Sequence, residues 1–234
     1  MAKSVNKADI VFDEVKGDGA TTAAEESSLS AFFEKNKQNL LIGVIALVVI
    51  LAGVIGWKVY KTGQNTKAQS VSFQAEHYFE ADSLNQALNG DGQAKGFLTI
   101  SKEYSGTKIG NVAKYYIGQI YLKQGKLEDG IKYLKEFDKS NNLPSAMAYA
   151  SLGAAHEDLN KFDEAAEYFM DAAGVTTEKD DQLKPFFMLR AGECYEDAKK
   201  VEKALEIYKT IKEKYPLSQE GQKIDKYIGR VSNE

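Results

Sequence analysis

The chain has 234 residues, a formal net charge of −4, three prolines and a single cysteine, Cys194. One cysteine excludes an intramolecular disulfide. Residues 68–234 carry 22 Lys+Arg against 27 Asp+Glu, a balance that argues against a phosphate-binding surface and so against nucleic acid as a partner.

From Met1 to Ser28 the sequence is rich in Ser, Thr, Ala, Gly, Asp and Glu and has no sustained hydrophobic period. Such a segment buries too little apolar surface to offset its chain entropy, so residues 1–28 read as a disordered tail. Its one apolar patch, Ile10 to Val15, is either a short docking motif or an ordinary piece of that tail. Residues 29–61 then form a juxtamembrane and transmembrane helix. Phe32 and Phe33 precede an uncharged run, Leu40 to Trp57, whose length as a helix is roughly 27 Å, close to the hydrocarbon thickness of a bilayer. Leu40, Gly43, Gly56, Trp57 and Lys58 mark this anchor. Lysines on both sides and the rings of Trp57 and Tyr60 suit the headgroup layer of a lipid bilayer. A cleaved signal peptide is disfavoured by the long polar leader and by GWKVYKTG, which holds no small-x-small cleavage site.

Beyond residue 68 the chain repeats. Aligning Ile117-Gly118, Leu152-Gly153 and Ala191-Gly192 brings Tyr121, His156 and Tyr195 into register, then Gly130, Ala165 and Ala204, then Leu134, Phe169 and Tyr208. A glycine, an aromatic, a small residue and a second large residue at these spacings are the tetratricopeptide signature. The expected fold is all-α: one N-terminal transmembrane helix followed by a helical-hairpin solenoid over 68–234. Clear units are expected at about 111–142, 146–174 and 185–216, with turns at Gln124-Gly125, Asn160-Lys161 and Lys199-Lys200. Phe97, Ile100 and Tyr104 match the spacing of Tyr208, Ile211 and Tyr215, which predicts a degenerate unit at about 70–107. Residues 218–231 read as a closing helix with a more polar face. Gly130, standing where alanine is usual, should weaken its helix by about 1 kcal/mol.

Nothing in the pattern points to chemistry. His77 and His156 fall in different units, and His156 occupies a packing position of the repeat. His156 with Cys194 supplies neither the number nor the spacing of zinc ligands. There is no nucleophile elbow and no P-loop, and Asp180-Asp181 sits in a polar insert. The expectation is a protein that is not an enzyme, with no cofactor, no metal and no small-molecule substrate.

Binding is therefore the expected role. In stacked hairpins the first helices line a concave surface, and helical geometry selects the side chains one turn either side of the packing positions. These are Val112, Tyr115, Gln119, Leu122 and Lys123 in the first clear unit, and Met147, Ala150, Ala154, Glu157 and Asp158 in the second. The third contributes Phe186, Leu189, Glu193, Glu196 and Asp197. Each row is apolar at one end and mostly acidic at the other, which suits a segment with apolar anchors and a basic flank. An ordinary hydrated helix face is the alternative.

The Phe32-Phe33-x-x-Asn36 segment, the anchor closing in Gly56-Trp57-Lys58 and the repeats together resemble the YfgM family of membrane-anchored tetratricopeptide proteins. That resemblance implies an ancillary subunit of the bacterial Sec translocon, with a cytoplasmic N-terminus and periplasmic repeats in the inner membrane. It implies as partners Sec translocon components, a membrane-bound periplasmic chaperone and unfolded secretory clients. The function so implied is a translocon-associated chaperone or adaptor. A scaffold for another envelope assembly is the alternative, or an organelle-surface receptor if the topology is reversed. Charge alone leans that reversed way, since Lys35 and Lys37 precede the anchor and Lys58, Lys61 and Lys67 follow it.

Overall fold

The computed structural model describes residues 19–140, 142–177 and 182–232, with side chains from Glu34 onward. The Ile10–Val15 patch and Asp180-Asp181 lie outside the described residues. Ten α-helices are present among them: α1 (Gly19–Glu80), α2 (Leu84–Asn89), α3 (Phe97–Glu103), α4 (Lys108–Lys123) and α5 (Leu127–Glu136), then α6 (Leu143–Asp158), α7 (Phe162–Gly174), α8 (Leu183–Asp197), α9 (Val201–Lys214) and α10 (Ile224–Val231). No strand occurs in the described residues. Two compact units are distinguished, Met1–Lys58 and Val59–Glu234.

Helix α1 covers Gly19–Ser28, where composition alone predicts an unstructured tail, and it also runs on through residues 62–69, between the expected anchor helix and the first repeat unit. No proline lies between Gly19 and Glu80, and alanine and glutamate near its start are good helix formers, so nothing forces a stop. In the first unit the large apolar residues from Leu41 to Trp57 are each more than half exposed. This helix is long and apolar enough to cross a membrane by length and composition.

In the second unit, four turns share one backbone solution. Asp82, Gly125, Asn160 and Lys199 have φ of 55°, 72°, 56° and 62°. The next N–H in each case, from Ser83, Lys126, Lys161 and Lys200, donates to the carbonyl of Tyr78, Tyr121, His156 and Tyr195 at 2.8–2.9 Å. A left-handed residue followed by this bond is the Schellman ending of a helix. It joins α4 to α5, α6 to α7 and α8 to α9, and it also ends α1. The end of α1 is thus the first helix of a hairpin, with buried Ala75 and Ala87 at the repeat's small positions.

That first hairpin departs from the others after Asn89. Its second helix is cut into α2 and α3 by Gly90–Gly96, and Phe97 takes the large position that would otherwise fall at Asp91. The insertion closes on itself: a Cβ on Gly90 would stand 2.2 Å from the Ala94 carbonyl oxygen, and one on Gly96 would stand 2.3 Å from the Gly90 nitrogen. The Asp91 carboxylate accepts the N–H groups of Gln93 and Ala94 at 2.9 and 2.6 Å and the Tyr78 hydroxyl at 2.7 Å.

One further joint recurs. Thr107 Oγ1 donates to the Tyr104 carbonyl at 2.8 Å and accepts from Gly110 N–H at 3.0 Å. Ser218 Oγ does the same with Tyr215 and Gly221, both at 2.9 Å. The chain beyond Tyr215 therefore re-enters as it does before α4, and α10 occupies the place of another first helix, with Ile228-Gly229 standing where α4 has Ile117-Gly118.

Candidate protein-binding face

The glycines bring each first helix onto its own second helix. A Cβ at Gly118 would meet Leu134 Cγ at 2.6 Å, at Gly153 the Phe169 ring at 3.0 Å, and at Gly192 Tyr208 Cε1 at 2.3 Å. With that side committed to packing, the first helices meet one another along an adjoining face. Phe79 of α1 packs edge-on against Tyr116 of α4, ring centroids 5.1 Å apart. Gln119 of α4 donates to Ser151 Oγ of α6 at 2.7 Å. Glu157 of α6 pairs with Arg190 of α8 at 2.5 Å, and Glu196 of α8 with Arg230 of α10 at 2.6 Å.

The residues singled out from sequence fall into three environments. Leu122 is turned into its own hairpin, where its side chain occupies the space that a Cβ on Gly130 would need, at 2.5 Å. Met147, Ala150 and Leu189 are half-buried against the core, and half-buried Tyr115 packs on Phe137 with ring centroids 5.8 Å apart. Burial raises the Tyr115 phenol above its ordinary value.

Val112 and Phe186 line two clefts near the starts of α4 and α8. The first, of about 400 Å³, also involves Asn111, Asp138 and Asn142. The second, of about 1000 Å³, also involves Leu183, Tyr215 and Leu217.

The remaining residues form the polar face. Glu157 and Glu193 share Arg190, whose guanidinium stacks 5.2 Å from the Phe169 ring centroid. Glu196 accepts the Tyr208 hydroxyl at 2.7 Å as well as Arg230. Lys123 pairs with Asp82 at 2.9 Å. Ala154, Asp158 and Asp197 are exposed. Sequence reasoning missed Phe79, Tyr116, Ser151, Arg190 and Arg230. Tyr116, Ser151 and Arg190 each stand two residues before the repeat glycine, so the repeat register carried the signal.

Cys194 and His156 are packing residues. Cys194 is 1 % exposed and burial pushes its thiol up to about 12, which leaves it protonated. His156 Nδ1 lies 2.8 Å from the Leu152 carbonyl oxygen and its ring packs on Tyr168. No cluster able to hold a metal ion occurs among the described residues.

The residues expected to mark the anchor belong to the first unit. Leu40 is 36 % and Trp57 62 % exposed, Lys58 is exposed, and a Cβ at Gly43 or Gly56 would meet nothing within 4 Å.

Comparison with known proteins bears on the fold. Two solved structures of nearly identical TPR-like repeats, described as from a kinesin light chain of Podosopora anserina, superpose with TM-scores of 0.52 and 0.53 at 12 and 11 % identity, covering 72 % of this chain and 87 and 86 % of theirs. At that identity the likeness is one of fold. No curated protein matches this chain. The family model described as a tetratricopeptide repeat-like domain matches residues 30–214, and the chain belongs to that family.

Proposed function

We propose that this protein is a membrane-anchored protein-binding module that assists secretory protein translocation and periplasmic folding as a translocon-associated chaperone or adaptor. The observation that carries the reading is the pairing, in one chain, of a helix fit to cross a bilayer with a repeat fold whose general role is protein interaction. The N-terminus lies in the cytoplasm and the repeats in the periplasm of a bacterial inner membrane. Sec translocon components, a membrane-bound periplasmic chaperone and unfolded secretory clients are the partners. They are held on the face formed by α4, α6 and α8, where Ala154, Asp158 and Asp197 are among the exposed positions.

Photocrosslinkers placed at Ala154, Asp158 and Asp197 in cells test this. Capture of translocon subunits together with a spread of secreted proteins is expected, and recovery of neither refutes the reading. A reporter fused after Glu234 tests topology, with activity expected only from one that works in the periplasm.

A second reading, a scaffold for one fixed envelope partner, is favoured by the packing of Leu122, Met147 and Leu189, which leaves less adaptable apolar surface than a promiscuous binder presents. The same crosslinks would then report one protein and no client spectrum.

A further inference from the structure

Successive first helices are joined by two kinds of chemistry. Between α1 and α4 the joint includes the edge-on rings of Phe79 and Tyr116, and between α4 and α6 it includes the neutral bond from Gln119 to Ser151. From α6 onward it becomes ionic. Arg190 reaches from α8 to Glu157 on α6 while also holding Glu193, and Arg230 reaches from α10 to Glu196 on α8. These pairs are neither sealed in the core nor fully hydrated. Side-chain exposures are 33 and 28 % for Arg190 and Glu157, and 45 and 15 % for Arg230 and Glu196.

Ion pairs of this partial exposure are individually weak, so they orient side chains yet remain open to exchange with solvent ions or with another cation. Each arginine is also a resident example of the ligand that its carboxylates select. Arg190 lies in a bracket of two glutamates over the face of Phe169, and Glu196 is oriented by the Tyr208 hydroxyl. Around them Asp158 and Asp197 add further negative charge.

We propose that Arg190 and Arg230 are latches that close the α6–α8–α10 half of the face, and that an arginine- or lysine-bearing segment of a partner opens it by taking over Glu157 and Glu196. The exchange replaces one cation with another at the same carboxylates, so no charge is left uncompensated. It allows the C-terminal ends of α6, α8 and α10, where Glu157, Glu196 and Arg230 sit, to spread over a core that stays packed, while the neutral joint between α4 and α6 stays fixed. The proposal rests on the face being the binding surface, and it names the chemistry of what binds there.

The test uses the full-length chain in lipid nanodiscs, with spin labels introduced in pairs at exposed Lys126, Lys161, Lys199 and Ser232. Cys194, at 1 % exposure, remains unlabelled. Pulsed dipolar spectroscopy then compares 0.1 M NaCl, 1 M NaCl and 0.1 M NaCl with a nona-arginine peptide. The Lys161–Lys199 and Lys199–Ser232 distances should lengthen by roughly one water diameter, ~3 Å, in both high salt and peptide, and Lys126–Lys161 should not move. The double variant Arg190→Met, Arg230→Met keeps the aliphatic stems and should show the longer distances already in low salt, with no response to peptide.

Rear distances that are unchanged in 1 M NaCl overturn the latch, whatever the variant does. Rear distances that lengthen in salt but not with peptide overturn the cationic trigger. Failure of the binding-face reading is separate, because it shows as absent crosslinks and does not depend on these distances.

Discussion

At the level of single residues, the repeat glycines show how the same residue type can be indispensable at one position and replaceable at another. An alanine at position 192 would gain about 1 kcal/mol of helix propensity, but its methyl would enter the Tyr208 ring, whose nearest atom stands 2.3 Å from the new Cβ. That ring cannot swing aside freely, because Tyr208 is wholly buried and its hydroxyl is bonded to Glu196. Overpacking costs about 1–3 kcal/mol and a strained hydrogen bond about 1 kcal/mol, so Gly192→Ala should lose about 1–3 kcal/mol in urea unfolding. Gly229→Ala places its methyl where nothing lies within 4 Å and should gain about 0.5–1 kcal/mol. Gly130 reverses its sequence-level interpretation for a similar reason. It is expected to weaken α5, yet Leu122 fills the space an alanine methyl would take, so Gly130→Ala should not recover that propensity.

At the level of elements, the insertion between α2 and α3 depends on one carboxylate. Hydrogen bonds from the Ala94 amide, the Tyr78 hydroxyl and the Gln93 amide hold the Asp91 carboxyl at about 2, below its ordinary value. A carboxyl depressed on folding contributes stability that is present above its ordinary value near 4 and is lost as pH falls toward about 2. Hydrogen exchange of the Gly90–Phe97 amides should therefore quicken on acidification across that window beyond the intrinsic pH effect. Asp91→Asn should remove this extra dependence, and an unchanged pH profile in the variant would refute the role. The three clear hairpins, their turns and their packing glycines were legible in the sequence because the repeat fixes them by spacing. The first hairpin was only half legible: the Phe97–Tyr104 spacing identified its end, but alanine replaced glycine at position 75 and the insertion broke the count. The sequence picked out the face only as a set of expected positions. Which of them turn inward was not legible, because that depends on the individual partners of Leu122 and Tyr115, and the repeat pattern does not encode those partners.

Across the molecule, the repeat unit Val59–Glu234 has an uneven core. Ala75, Phe97, Ile100, Ala113, Ile117 and Ile120 belong to a front cluster, and a larger rear cluster runs from Ala146 to Val231. Between them stands a small cluster of buried residues, Leu134, Phe137, Ala148 and Leu152, with partly buried Tyr115, Leu122, Ile131, Tyr149 and Tyr168 packed on it. In a repeat array each unit is stabilised by itself and by its neighbours, so a thin junction limits how far folding cooperativity travels. The array should consequently open as two blocks that part between α5 and α6. Ile117 and Ile211 are both wholly buried, and truncation of either to alanine should cost about 2–5 kcal/mol within its own block. Native-state hydrogen exchange can separate the two effects: Ile117→Ala should lower protection in α3 and α4 and spare α8 and α9, and Ile211→Ala should do the reverse. If either substitution lowered protection evenly from α3 to α9, the small central cluster would be coupling the blocks fully, and the array would behave as one cooperative unit.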